Sequence, residues 1–567
     1  MKHKQGIGVS RGIAIGTAVV MREDNGMDDN EALQVDEQIE QKRLDDAIET
    51  FCRETEQLAA RLDADGGGEI LRGHIQMLRD PYMLAGMRER IVAGKSARAA
   101  VVEMCEQFAA VFEAAEEDLT RQRAADVRDI RSRLCQILGG GDVCALSSLP
   151  QGSILVVDEL TPSMTARLDR EHLCGIIACR GGVTSHSAIL ARAMHIPAVL
   201  GATDALDSVA QGMTLALDGT TGEIQLAPDE GTLAELRARR DRARECEARL
   251  EAFRGKPTVT ADGTAKELLA NIGSDREVSD ILKQDAEGVG LFRTEFLFMD
   301  QSEAPDEEAQ FTAYRAAASA LGGRPLIIRT LDVGGDKDIP YLGLEKEENP
   351  FLGFRAIRYC LTHPDLFLTQ LRAILRASAY GNVRILLPMV TRLEEMTSAR
   401  GLIERAKEEL KARGERFDER IYVGVMIETP AACAIADLLA ARADFFSIGT
   451  NDLTQYIMVT DRGNEKTAEL YSAYHPAVLR AVRHVIVSAH RAGISVGMCG
   501  ESAADATLTP LLLAWGLDEF SVNAAEVLAL RERIGRWTVA RAEEVAAHAM
   551  TLETEGEVRA YLSALEN

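Results

Sequence analysis

The ten cysteines include no CxxC pair; the closest two, Cys174 and Cys179, are five residues apart with no matching second pair. That argues against a zinc site or a disulfide framework, and reduced thiols in a cytoplasmic setting are expected. Positive charge is also short. Lys and Arg total 64 against 89 Asp and Glu, a net charge of −25 over 567 residues. Such a balance argues against nucleic-acid backbones and anionic membrane surfaces as partners. No apolar run approaches the roughly 18 residues of a membrane span, so no membrane insertion is expected. The opening Met1-Lys2-His3-Lys4-Gln5-Gly6 lacks the apolar run of a secretory signal. A glycine-rich dinucleotide turn between strand and helix is missing too. What is present is ordinary: 46% apolar and 27% charged residues, in a chain long enough for three or four domains of about 150 residues.

The pattern changes along the chain. Residues 6–20 alternate small and β-branched residues and predict one or two short strands. From 28 to 139 apolar residues recur at three- and four-residue spacing, as in Leu33, Ile39, Leu44, Ile48 and Phe51. Breaks at Gly66-Gly67-Gly68, Asp80-Pro81 and Gly94 divide this stretch into four or five helices of a bundle. Residues 140–227 return to α/β, with strands expected at 153–157, 175–178 and 198–200. The economical reading is one α/β domain, 1–27 with 140–227, interrupted by a helical insertion at 28–139. Residues 228–257 read as a connecting helix stopped by Gly255 and Pro257. In 258–567 eight strand candidates alternate with helices: 268–272, 288–292, 326–330, 384–389, 422–427, 445–448, 495–498 and 519–522. A (β/α)8 barrel is expected there rather than an open sheet.

Chemistry in such a barrel sits at the C-terminal strand ends. Arg293, Arg329, Glu428 and Cys499 each end a candidate strand, and Asn451, Asp452 and Arg462 follow another. Several arginines and carboxylates at one mouth suit a small phosphorylated anion. Guanidinium groups grip phosphate or carboxylate in pairs of bonds, and the carboxylates make sense as Mg²⁺ ligands. A second concentration is Gly181-Gly182-Val183-Thr184-Ser185-His186-Ser187, before an Ala/Leu helix. His186 would stand in the first helical turn, where free N–H groups favour a phosphoryl group and keep imidazole neutral. On spacing alone, Ser185 as an N-cap beside an exposed His186 reads equally well.

With these residues in view, the chain resembles the phosphoenolpyruvate-protein phosphotransferases, enzyme I of the bacterial sugar phosphotransferase system. The resemblance runs end to end through GIGVSRGIAIG, LTPSMTARL, GGVTSHSAILARAMHIPAVLG, GVGLFRTEFLFM, RTLDVGGDK, NPFLGFRAIR, ETPAA, FFSIGTNDLTQY, DRGN and GMCGE. It implies that phosphoenolpyruvate phosphorylates His186 on Nε2, with Thr165 bonded to the resting imidazole. Arg293, Arg329, Arg462, Asn451 and Asp452 would hold substrate, with Arg355 a further phosphate-side contact. Glu428 and Asp452 would ligate Mg²⁺, and Cys499 would protonate the enolate to give pyruvate. The phosphoryl group would pass to a histidine of the carrier HPr, bound by the helical insertion. The connecting helix would let the phosphohistidine domain swivel, and 258–567 would form a homodimer. A paralogue feeding a nitrogen-linked branch is the alternative; it usually carries an extra N-terminal domain, and here the chain opens on GIGVSRGIAIG. One departure concerns the carrier. Acidic docking helices are usual, yet residues 66–95 hold three acids and five bases. Apolar docking through Met77 and Leu78 is therefore expected.

Overall fold

The computed structural model describes the chain except residues 1, 22–35, 63–67, 115–117, 140–148, 166, 170, 183–185, 195, 300, 302, 335–338, 346, 465 and 566–567, and a few further side chains within helices, that of His186 among them. Backbone contacts divide it into two units, Met1–Glu247 and Ala248–Asn567.

The first unit contains one eight-stranded mixed sheet. Its strands are β1 (Lys2–Gln5), β2 (Ile7–Ser10), β3 (Ile13–Val20), β4 (Ser153–Val157), β5 (Leu173–Ala178), β6 (Ala198–Leu200), β7 (Thr214–Asp218) and β8 (Glu223–Leu226), in the order β1-β8-β7-β3-β4-β5-β6-β2. Strands β3 to β6 run parallel. The run Ser-Ile-Leu-Val-Val of β4 is buried throughout, as a central strand covered on both faces must be. Odd members Leu155 and Val157 pack with Ile176, Ala188 and Ala191 on one face. Ile154 and Val156 pack with Leu215, Leu217 and Ile224 on the other. The sheet thus takes strands from both sides of a helical stretch.

That stretch contains helices Glu37–Leu62, Gly68–Leu78, Pro81–Val92, Ala97–Glu113 and Asp118–Leu138, around a core of their own. Asp80 caps the third helix by accepting from the N–H groups of Tyr82 and Met83, with Pro81 at its first position. The expectation for Leu78 is corrected here. Leu71, Ile75 and Leu78, at helical three- and four-residue spacing, form the inner stripe, and Leu78 is fully buried. It cannot meet a partner; Met77, one position round the helix, is half-buried. His74 is likewise internal, with its ring nitrogens 3.2 Å from Asp126 and 3.7 Å from Asp129.

The division between units falls inside helix Glu230–Glu251. Only Leu233 and Leu236 are buried along it, which explains its nearly patternless sequence.

The second unit is a closed, all-parallel barrel of β9 (Glu267–Ile272), β10 (Val289–Arg293), β11 (Pro325–Arg329), β12 (Asn382–Leu387), β13 (Tyr422–Ile427), β14 (Phe445–Ile448), β15 (Ser495–Met498) and β16 (Glu519–Val522). Phe520 opposite Leu268 closes the ring. Period-two alternation sends one set of side chains into the barrel and the other against the helices. Leu291, Ile327, Leu386, Met426 and Phe445 fill the interior, joined by Cys499. Ile328, Ile385 and Val425 belong to the larger outer core. The same parity carries Arg293, Arg329 and Glu428, two positions beyond Leu291, Ile327 and Met426, onto the inner wall at the mouth.

One interior residue is an acid. Glu519 is buried opposite Gly497, where an added Cβ would stand 3.1 Å from the Glu519 Cβ. Burial, then the like charges of Glu267 and Asp518, push its carboxyl up to about 8, against the pull of Arg384. The folded state therefore binds this proton more tightly than the unfolded chain. The associated stability is full below about pH 4.5 and is lost as pH rises through about 8. Glu519→Gln should match the parent near pH 5 and exceed it by about 3–5 kcal/mol at pH 9. Melting both proteins at the two pH values tests this; a gap independent of pH would refute it.

Candidate active site

A cavity of about 340 Å³ opens at the C-terminal end of the barrel. It is lined by Arg293, Arg329, Glu428, Asn451, Asp452, Arg462 and Cys499, and by Arg355. These residues come from the ends of five strands, β10, β11, β13, β14 and β15, and the segments beyond them. Arg293 and Arg329 are direct cross-strand neighbours on β10 and β11. Asn451 and Asp452 sit in the first turn of helix Thr450–Met458 after β14. Gly449, between them and β14, is tightly confined: an added Cβ would lie 2.9 Å from Glu428 Cβ.

Like charges side by side on adjacent strands repel. Two carboxylates absent from the expectations offset them. Arg329 Nη2 lies 2.6 Å from Glu295 Oε1, and its Nη1 lies 3.1 Å from Asp332 Oδ2. Asp332 also accepts from Arg355 Nη2, at 2.9 and 3.2 Å to its two oxygens. Arg355 Nη1 stands 3.6 Å from Asp452 Oδ1. Burial alone would lower the pKa of Arg329 and of Arg355; their acidic neighbours overcome it and hold both raised. Arg293 and Arg462 have no carboxylate partner among the described residues. Two guanidinium groups are thus internally balanced and two are available to an anion.

The acids bear on a cation. Burial, then Asp452 and Asp332, raise Glu428, while Arg329 and the Met389 N–H, 2.6 Å from Oε1, act the other way. Asp452 Oδ1 is buried without a hydrogen-bond partner. Among the described lining residues there are four arginines and five carboxylates, with Glu501 the fifth. A phosphate ester bearing a carboxylate, at about −3 charge near neutral pH, does not fit that balance unaided. A divalent cation between Glu428 and Asp452 would offset part of the excess negative charge. The donors are oxygens, and no cluster of three or more His, Cys, Asp or Glu suited to a metal occurs among the described residues. Two carboxylates with the rest supplied by substrate and water is the habit of Mg²⁺, so the residues fit that ion.

Cys499 directly follows β15 and is buried. Its Sγ makes a weak contact to Ile448 O at 3.8 Å. Burial pushes the thiol up to about 11, so sulfur keeps its proton at neutral pH. Asn451 is held by Glu501, whose N–H donates to Oδ1 at 3.1 Å. Leu291 and Met426 supply an apolar wall.

His186 belongs to the first unit, where it opens helix His186–Ala193 in the crossover between β5 and β6. Ser187 Oγ donates to Leu160 O at 2.8 Å and fixes that end. Its own side chain, and with it the expected bond from Thr165, lies outside the described residues; Thr165 Oγ1 donates to Thr161 O at 3.1 Å. Glu295, Asp332 and Glu501 are the lining carboxylates that the sequence reading missed. A signal existed, since each follows a strand-end Arg or Cys by two or three residues.

Three family models cover most of the chain: PEP-utilising enzyme, PEP-binding domain, at 247–539; PEP-utilising enzyme, N-terminal, at 5–123; and PEP-utilising enzyme, mobile domain, at 149–222. Curated relatives match along nearly their whole length. The phosphoenolpyruvate-protein phosphotransferase of Staphylococcus epidermidis is 40% identical over 98% of both chains. That of Bacillus subtilis is 40% identical over 99% of both, and that of Priestia megaterium 42% identical over 94% of both. With models spanning both units and relatives at this identity end to end, the chain belongs to the phosphoenolpyruvate-protein phosphotransferase family.

Proposed function

We propose that this chain takes the phosphoryl group of phosphoenolpyruvate onto Nε2 of His186, releases pyruvate, and passes the group to a histidine of the carrier protein HPr. The first step of the sugar phosphotransferase system is the setting this reading gives it, with a homodimer as its working form. The observation that supports it is the cavity itself, which gathers Arg293, Arg329, Arg355 and Arg462 with Glu428, Asp452 and Cys499 at one barrel mouth.

In this reading Arg293 and Arg329, adjacent on their strands, grip the phosphoryl oxygens. Arg462 joins them on the phosphate, Asn451 and Asp452 contact substrate, and Arg355 stands on the phosphate side. Glu428 and Asp452 would hold Mg²⁺, which when bound would supply positive charge against the negative charge of the substrate. The neutral imidazole of His186 attacks phosphorus while the bridging P–O bond breaks, and that electron pair forms the enolate. Collapse of the enolate to a ketone places an electron pair on the methylene carbon, which takes the Cys499 proton. The thiolate left behind recovers a proton from water.

Incubation with ³²P-phosphoenolpyruvate and Mg²⁺ should give an acid-labile, base-stable label on the peptide containing His186. Label on another residue, or free phosphate without a labelled enzyme, would overturn the reading.

A further inference from the structure

Asp452 Oδ1 stands between two claims. It is a buried carboxylate oxygen without a hydrogen-bond partner, on one of the two residues read as cation ligands, and so well placed to meet a cation. It is also the Asp452 atom nearest Arg355, whose Nη1 lies 3.6 Å away and 3.5 Å from Tyr456 Oη. A guanidinium that closed that gap would form a full ion pair and occupy the oxygen. What opposes this is Asp332, which holds the other nitrogen of Arg355 through both of its oxygens, at 2.9 and 3.2 Å. Asp332 in turn is fixed by Arg329, and Arg329 by Glu295. The result is an alternating row, Glu295–Arg329–Asp332–Arg355–Asp452, in which all but Asp452 are less than a tenth exposed. In such a dry setting a guanidinium that loses one carboxylate moves to the next, because leaving it unpaired is expensive.

We propose that Asp332 is a positioning residue that holds Arg355 back from Asp452 Oδ1 and so keeps that oxygen available to a divalent cation. The proposal rests on the reading of Glu428 and Asp452 as the cation's ligands. It assigns Asp332 no contact with substrate. It also runs against the simplest role for a carboxylate beside an anion site, which is to weaken anion binding by repulsion.

Mn²⁺ binding to the full-length protein, followed by the electron paramagnetic resonance signal of the free ion, separates these cases without reference to turnover. Asp452→Asn comes first: if the parent binds no Mn²⁺, or this variant binds as well as the parent, the metal reading itself fails and the proposal falls with it. Given a parent site lost in Asp452→Asn, Asp332→Asn should bind Mn²⁺ about tenfold more weakly, as expected for competition from a buried charge-assisted bond. Glu295→Gln removes the same charge from the other end of the row, where it does not touch Arg355. It should stay within about threefold of the parent. Removing the competitor in Asp332→Asn/Arg355→Met should restore the affinity to about that range. Equal weakening in Asp332→Asn and Glu295→Gln would mean that bulk charge, and not position, sets the affinity. An unchanged Asp332→Asn, or a double variant as weak as the single one, would overturn the proposal equally. If Asp332→Asn does not fold, Arg355→Met and Arg329→Met decide. Each removes one guanidinium, and only Arg355→Met should tighten Mn²⁺; parity between them would overturn the assignment.

Discussion

Full-length His186→Ala should take up no label from phosphoenolpyruvate, a loss of about 10⁴-fold or more, as for other lost nucleophiles. Its affinity for phosphoenolpyruvate in the presence of Mg²⁺ should not change. The reason is the division of labour between the units. Every described residue lining the cavity lies between Leu291 and Glu501, inside the unit Ala248–Asn567. His186 opens a helix of the other unit, packed on its own sheet through Ala188 and Ala191. Deleting an imidazole there removes the acceptor and leaves the arginines, the carboxylates and Cys499 in place. Calorimetric titration of the variant, beside a labelling assay, reads both quantities. If binding disappeared together with labelling, His186 would have to be part of the anion site, and the two-part reading would be wrong. Residual label on a second histidine would displace His186 as the acceptor.

The barrel was legible in the sequence because each of its strands is a short apolar run with a polar residue at its end. The same feature made the site legible: Leu291-Phe292-Arg293 and Met426-Ile427-Glu428 each switch from core to chemistry within one turn of the pleat. Pairing was not legible. That Arg293 stands opposite Arg329, and that Asp332 serves Arg329 and Arg355 together, depends on register between strands and on a loop, neither of which one strand's pattern encodes. Strands β7 and β8 went unnoticed in the first unit, although Thr214-Leu215-Ala216-Leu217-Asp218 and the Gly219–Gly222 turn carry a hairpin signal. The division between helices Ala97–Glu113 and Asp118–Leu138 has no glycine or proline to mark it. Leu78 shows the reverse error. An apolar residue near a presumed docking face was assigned to the surface, when its phase with Leu71 and Ile75 places it in the core.

Cys499→Ala should slow pyruvate formation from phosphoenolpyruvate by about 10²–10⁴-fold, the usual range for a lost general acid. It should leave phosphoryl exchange between His186 and carrier near the normal rate. Cys499 packs with Leu291, Ile327 and Phe445, so a purely structural role must be weighed. Losing one sulfur from a buried position costs stability of about 1 kcal/mol. The rate effect corresponds to about 3–5 kcal/mol in one barrier. A packing defect would also weaken phosphoenolpyruvate binding at the barrel, which calorimetric titration of the variant reads, whereas loss of a proton donor would leave that binding unchanged. A proton donor acts only where the enolate carbon is protonated. The thiol is suited to that single step because burial pushes it up to about 11, so the proton is present throughout the physiological range. No alkaline loss of activity from Cys499 is expected below about pH 10. The decisive measurement is paired. One arm follows pyruvate release from phosphoenolpyruvate. The other loads His186 backwards from phosphorylated carrier and follows exchange with fresh carrier, which never involves an enolate. A variant impaired equally in both arms, or in neither, would remove Cys499 from the proton-transfer step. In deuterated water, with one methylene hydrogen of phosphoenolpyruvate stereospecifically replaced by tritium, the residual pyruvate adds a further check. With the thiol gone, solvent reaches the enolate from either face, so the new methyl group should lose the single-face stereochemistry that delivery from β15 imposes.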